Sequence, residues 1–349
     1  MAELEFGNRD NIFNMMEAHG ADGSLLEMSQ NLVEVNDLVK DMPSFPANEN
    51  LSHKDARWSS LPTATFVALG DGVTASFGRI ESYREQLGIL KSRYQAPVDV
   101  LKAQGTPEDI ARYRSDQERA HEEGMTQGLC NALINGTSAA NHEKLDGLAN
   151  RAPWNAATNT TQVFDVGGTG ATLRSAWLIK PGRTTFHLLH PKFHATKGIV
   201  RTDKGEEPVT VTSTDANGTT SATRYDLVTL FEWWVGWNIK NQKAIKRICN
   251  IPITYAGLTT TLIRKIVEAR HIHTVISSMR GAVNPDRQVE APWFLYCDPY
   301  VYIQLISLTM ERYNVRYSAD NPYKIELPMI GDIIIRRMEA LNADETQLT

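Results

Sequence analysis

From Tyr225 to Ile239 the chain alternates. Tyr225, Leu227, Thr229, Phe231, Trp233, Val235, Trp237 and Ile239 fall on one face, which is apolar for most of its length. A period of two marks a β-strand with one buried side. At about 3.3 Å per residue, the stretch 224–239 reaches about 50 Å. A compact sphere of this chain length would be only about 50 Å across. A strand as long as the molecule is wide predicts a flat, extended body, and flat bodies expose surface and tile. The opposite face carries Asp226, Glu232, Asn238 and Lys240 among apolar neighbours. The indoles of Trp233, Trp234 and Trp237 could stack sugars or bases, but on an alternating strand they read as core.

A second element is equally long. Thr106-Pro107-Glu108-Asp109 is a helix start, with Thr as N-cap, Pro in the first helical position and an acid three residues after the cap. Helical periodicity continues to about Leu133, with Ile110, Tyr113, Gln117, Ala120, Gly124, Gly128 and Ala132 along one face, and Asn135-Gly136 ends it. Its length is about 40–45 Å. Gly124 and Gly128 would admit another backbone to close range.

Thr63 to Leu69 has strand composition, Gly70-Asp71-Gly72 is a turn signal, and Arg79 to Leu87 is extended in pattern but polar on both faces. A lone hairpin of this kind is marginal in water. It is either a mobile flap or, the favoured reading, a loop that rests on a neighbouring subunit. Before it lies an acidic leader: residues 1–60 hold 4 Lys/Arg against 11 Asp/Glu, leaving 32 against 30 in the other 289 residues. Pro43, Pro46 and Pro62 break its second half, and only the pattern around Leu25–Val39 looks helical. It reads as an arm.

Composition narrows the function. With 42% hydrophobic and 22% charged residues, the chain is neither disordered nor coiled coil. A net charge of −5 argues against a protein whose main task is coating nucleic acid. Cys130, Cys249 and Cys297 are widely spaced and read as buried, reduced thiols. The acidic start lacks the apolar stretch of a signal peptide, and no apolar run approaches a membrane span. The expectation is a soluble protein made inside the cell. His187, His190 and His194 form the best metal candidate, but Pro191 breaks the segment and no acid lies between Asp165 and Asp203. His271 and His273 would face one way only on a strand. Gly167-Gly168-Thr169-Gly170 lacks the lysine of a phosphate loop and reads as a tight turn. No nucleophile motif is present. The expectation is no catalytic residue, no cofactor and no metal.

The order of motifs carries a resemblance. Ala68-Leu-Gly-Asp-Gly-Val-Thr-Ala-Ser76 is followed by Glu122-Glu-Gly-Met-Thr-Gln-Gly-Leu129, Asn135-Gly-Thr137, Lys144-Leu-Asp-Gly-Leu148 and Asp165-Val-Gly-Gly-Thr-Gly170. Ser175-Ala-Trp-Leu-Ile-Lys-Pro-Gly182 and the tryptophan strand leading to Arg247-Ile-Cys-Asn-Ile251 complete the series. Over about residues 10–345 this resembles the major capsid proteins of tailed bacteriophages, especially short-tailed ones.

The resemblance implies an α+β fold of the Hong Kong 97 type. It would have an N-terminal arm (1–61), an extended β-hairpin loop (62–95), a peripheral domain (96–252) with spine helix 106–134 and long β-sheet, and an axial α/β domain (253–349), in direct or permuted connectivity. Trp293–Asp298, a helix from Pro299 and the strand Met329–Arg337 would be axial pieces. It implies self-assembly as hexamers and pentamers into an icosahedral shell around double-stranded DNA. Assembly contacts would come from Phe66, Leu69, Gly70, Asp71, Gly72, Arg79, Glu81, Arg84 and Glu85. Partners would be other copies, a separate scaffolding protein, a portal and a decoration protein, with DNA touched non-specifically and no membrane. The site of action would be the virion, after synthesis in the host bacterial cytoplasm. Residues 62–90 hold no lysine, so the cross-linking of some relatives does not carry over. The short arm implies an uncleaved chain. Two other readings are an encapsulin-like compartment and a metal-dependent hydrolase built on His187, His190 and His194.

Overall fold

The computed structural model describes residues 34–102, 106–139, 145–193, 198–215, 218–253, 259–272, 292–312 and 329–349. The strands are β1 (Ser44–Pro46), β2 (Ser52–Ser60), β3 (Arg79–Pro97), β4 (Val163–Asp165), β5 (Leu173–Ile179), β6 (Phe186–His190), β7 (Val200–Asp215), β8 (Gly218–Ile239), β9 (Ile245–Pro252), β10 (Trp293–Cys297), β11 (Met329–Ile330) and β12 (Ile333–Arg337). The longer helices are α1 (Pro107–Asn135), α2 (Thr259–His271) and α3 (Pro299–Arg312). Two compact units emerge. Among the described residues, one holds Ile89–Leu129 and 198–234, and the other holds Glu34–Gly88, 130–193 and 235–349.

In the first unit the tryptophan strand is longer than its alternation suggests. β8 has 22 residues and pairs antiparallel with β7 from Val200↔Glu232 to Asp215↔Gly218. Its odd-numbered face meets α1. There Glu118 is buried and accepts from Arg201 (2.7 and 2.9 Å), from Arg114 (2.8 Å) and from the Thr229 hydroxyl (2.9 Å). Burial pushes the Glu118 carboxyl up, but these donors win and hold it below its ordinary value. The even-numbered face explains the polar residues seen in the sequence. Lys91 pairs with Glu232 at 2.7 Å, Arg93 with Glu207 at 3.4 Å and Arg224 with Asp226 at 2.7 Å. This ladder of opposite charges across β3, β8 and β7 leaves no net charge on those three pairs.

Helix α1 begins as expected, with the Thr106 hydroxyl accepting from the Asp109 N–H at 3.3 Å. Its buried stripe is not the expected one. Tyr113, Met125, Leu129 and Leu133 are buried, whereas Ala120, Gly124 and Gly128 are exposed. Nothing lies within 4 Å of where a Gly124 side chain would begin. The reason is that Glu118, paired with two arginines, packs inward and turns the helix away from its glycine face.

The second unit is built on a six-stranded sheet of order β11-β12-β10-β5-β9-β4. β10 pairs parallel with β12 and antiparallel with β5, and β4 pairs parallel with β9. Every residue of β5, β6 and β10 is buried, the continuous pattern of strands covered on both faces. Leu262 and Ile266 of α2 and Val301 and Leu305 of α3 join Ala176, Leu178, Ile248, Leu295 and Ile333 in one core. The stretches Trp293–Cys297 and Pro299–Arg312 are strand and helix as expected, the expected strand Met329–Arg337 is the antiparallel pair β11 and β12, and β4, β5 and β9 pair into the same sheet. The boundary expected at 252/253 separates strands that share hydrogen bonds. Their apolar content is uniform, so composition gives no break between them.

Sheet residues that are charged find partners in the chain's last segment. Arg174 donates to Asp344 at 2.6 Å and to Asn342 at 3.1 Å, and Arg247 donates to Glu345 at 3.0 Å. The backbone of Glu345 bridges Leu173, and Asn250 exchanges two hydrogen bonds with Leu348 (2.9 and 3.0 Å). The glycine turn at 167–170 receives the same segment, Gln347 N–H donating to Gly170 O at 3.1 Å. The turn holds a strap of protein, not a phosphate.

The expected hairpin shifts along the chain. Thr63 to Leu69 forms no strand. The paired strands are β2 and β3, in register from Ser52↔Gln86 to Ser60↔Arg79, and residues 61–78 connect them. The charged pattern of 52–60 concealed a strand, and the apolar run 63–69 is loop because no partner strand faces it. The helical pattern expected at 25–39 lies mostly outside the described residues, within which Leu38–Asp41 is helical.

Candidate assembly surface

The base of the β2–β3 hairpin is pinned by polar contacts. Tyr83 donates to Asn238 at 3.0 Å, Asn238 donates to Asp55 at 3.3 Å, and Lys240 pairs with Asp55 at 3.1 Å. Burial raises the Asp55 carboxyl, but the Ala56 N–H and the donors from Lys240 and Asn238 bring it below its ordinary value. The Arg57 guanidinium lies over the Tyr83 ring at 5.2 Å. A hairpin that would be marginal alone is thus anchored at one end.

The other end is open and apolar. Phe66 is 109% and Leu69 108% exposed, and Leu61, Val73, Phe77, Trp58 and Ile80 are exposed beside them. So many large apolar groups on one loop mark an interaction surface. The loop keeps local order: Asp71 N–H donates to Ala68 O at 3.1 Å, Gly70 takes φ +99°, and the Ser76 hydroxyl donates to Thr63 O at 2.8 Å.

The expected contact residues divide into two groups. Phe66, Leu69, Gly70, Asp71 and Gly72 sit together at the exposed tip. Arg79 is exposed where β3 begins, opposite Ser60. The remaining three are engaged within the chain: Glu81 with Arg57 at 3.5 Å, Arg84 with Glu49 at 3.2 Å, and Glu85 with Arg151 at 2.7 Å. Sequence reasoning missed Trp58, Phe77 and Ile80. The signal was available, since aromatic residues flanking a glycine-rich turn have no core to enter when both strands are polar.

The histidines do not converge. His187 and His190 lie three apart on β6, so they project to opposite faces. His187 packs edge-on to Phe45 at 5.1 Å, and burial pushes its imidazole down to about 4. His190 Nδ1 is 2.9 Å from the Ser44 hydroxyl. His194 and His273 lie outside the described residues. Among the described residues no group of three or more His, Cys, Asp or Glu is placed to hold a metal. Ser92 and His121 meet at 2.6 Å in an open groove that also takes in Leu90, Gln117 and Met125. The His121 ring stacks on Phe231 at 5.7 Å, and burial lowers its imidazole. Cys130, Cys249 and Cys297 are buried and form no disulfide among the described residues. Burial drives the Cys249 thiol up to about 12, which removes its nucleophilic form at neutral pH.

The model of the family "major capsid protein GP7" matches residues 20–349. The chain belongs to that family. This capsid protein is a structural component of the phage virion. A chain of the bacteriophage Epsilon15 structure superposes with a TM-score of 0.66 at 16% identity, covering 100% of both chains. The fold is the α+β capsid fold of the Hong Kong 97 type. A capsid chain of bacteriophage JBD30 matches at TM-score 0.45 and 11% identity, covering 92% of this capsid protein and 93% of that chain. An encapsulin chain, from the SrpI complex of Synechococcus elongatus PCC 7942, matches at TM-score 0.40 and 11% identity over 71% and 98%. No curated protein matches this capsid protein in sequence.

Proposed function

We propose that this capsid protein assembles as hexamers and pentamers into an icosahedral shell around the phage's double-stranded DNA, and that the apolar tip at 61–78 is the contact that joins one copy to the next. The observation that carries the reading is the pairing of a pinned hairpin base with a tip whose Phe66 and Leu69 are fully exposed. Burying two such side chains against a neighbour contributes about 3–6 kcal/mol in transfer free energy. Small contacts of this kind sum over a closed symmetric lattice. We place the extended loop at β2, the 61–78 tip and β3, with the arm before β2, helix α1 as the spine helix and the axial pieces around 293–337. Its partners are a separate scaffolding protein, a portal and a decoration protein, and it is made in the host bacterial cytoplasm. Packed DNA is touched without sequence preference, since 32 basic and 30 acidic residues beyond position 60 give no basic lining.

Deletion of residues 68–77, which spares Gly78 beneath the Trp58 ring, tests the assignment. The circular dichroism spectrum of the subunit stays unchanged and negative-stain images show no shells. Shells at normal yield from the deleted chain overturn it.

A further inference from the structure

Strand β7 has one paired edge and one open edge: among the described residues it pairs with β8 alone. The strand has 16 residues, and an open edge of that length is a template for another strand. The two halves of β7 treat this hazard differently. Towards its start, the register shifts between Asp203 and Gly205, where Gly205 takes φ +72° and its N–H turns to the Asp203 carboxylate at 2.9 Å. Lys204, Glu206 and Pro208 follow, all exposed. A bulge, alternating charges and a proline are the devices that keep an edge from pairing.

Between Pro208 and Asp215 no such device occurs. Val209-Thr-Val-Thr-Ser-Thr214 holds no charge, no proline and no glycine, and alternates β-branched residues. Pro208 also sets the direction of the open groups. It has no N–H to give β8, so its backbone faces outward, and with period two so do Thr210, Thr212 and Thr214. The composition selects the occupant. When 209–214 meets a second copy of itself antiparallel, the two strands place no like charges opposite each other. The alternation also lets valine and threonine faces match across the new ladder. A shell of identical copies supplies that strand at high local concentration.

We propose that the outer half of β7, residues 209–214, pairs antiparallel with the same segment of a second copy, joining two sheets edge to edge across a two-fold axis. The inference rests on the assembly reading for where the copies meet, and it concerns a surface distinct from the 61–78 tip.

Single cysteines test it in the full-length protein, since the three native thiols are buried. Thr210→Cys, Val211→Cys, Thr212→Cys and Ser213→Cys are each oxidised mildly after assembly, run on non-reducing gels and mapped by peptide mass. The expected result is a majority of disulfide dimers for at least one of them, with the new cysteine joined to its own counterpart. Thr202→Cys, in the guarded half, gives none. Adding Thr212→Pro to the dimer-forming variant, or Thr210→Pro where that variant is Thr212→Cys, removes an outward N–H and lowers the dimer to the Thr202→Cys level. Pro208 shows that this edge tolerates proline, so the fold survives. Monomers from all four variants overturn the pairing, as do dimers joined through Cys130, Cys249 or Cys297. Negative-stain images of the same samples read the assembly separately: particles without dimers sink the pairing alone, whereas dimers without particles uphold it and sink the shell.

Discussion

The sheet that contains β10 and the loop at 61–78 are opposite solutions to where apolar residues go. In the sheet, Trp293, Leu295, Ile333 and Ile335 are buried among α2 and α3. In the loop, Phe66, Leu69, Val73 and Phe77 are exposed although the chain has a core that could use them. The first holds its stabilisation within one molecule. The second leaves apolar surface open, which under the proposed assembly is held for a contact with another copy.

The contrast can be broken at either end. The largest effect is expected at the tip: Phe66→Ser with Leu69→Ser reduces shell yield at least tenfold by light scattering. The same pair of changes leaves the urea midpoint of the unassembled subunit within error, because exposed side chains move stability by no more than about 0.5 kcal/mol. Leu295→Ala does the reverse. It leaves a cavity in the core and costs about 2–5 kcal/mol in urea unfolding, while chains that do fold still assemble.

A third test uses acid. Burial holds the His187 imidazole at about 4 in the folded chain, below its ordinary 6.5. Between those values the unfolded chain binds the extra proton. Stability is therefore full above about pH 6.5 and falls as pH drops towards 4, by up to about 3 kcal/mol. His187→Phe flattens this slope in urea titrations at pH 4.5 and 7.5. An unchanged slope would show that the imidazole is not the acid-sensitive group. The smallest effect belongs to Glu81→Gln. It removes the half-exposed Arg57 pair and shifts stability by under about 0.5 kcal/mol, with assembly unaffected.

The tryptophan strand and the spine helix were legible because each repeats one period over many residues, and Thr106 and Pro107 announced the helix start. Strands β10 and β12 came from the resemblance, which gave the second as one strand from Met329 to Arg337 where the chain forms β11 and β12. The hairpin was legible as an object but not in its register. Residues 52–60 carry His, Lys, Asp and Arg, and their pairing is decided by Asn238 and Lys240, nearly two hundred residues away. The helix stripe failed for a related reason. A carboxylate such as Glu118 is buried only because Arg201 and Thr229, distant in sequence, close around it. Of the assembly surface, the tip residues were legible from the glycine turn. The inward pairing of Glu85 with Arg151 was not, because ion-pair partners leave no periodic trace.

The strap at 342–349 has a consequence in time. The sheet's charged residues Arg174 and Arg247 reach their partners Asp344 and Glu345 only when the last of these has been synthesised. The apolar loop ending at Gly78 leaves the ribosome roughly 270 residues earlier, which at ordinary elongation rates is roughly 15–50 s. For that interval the nascent chain displays its exposed apolar loop before Asp344 and Glu345 have docked on its own sheet.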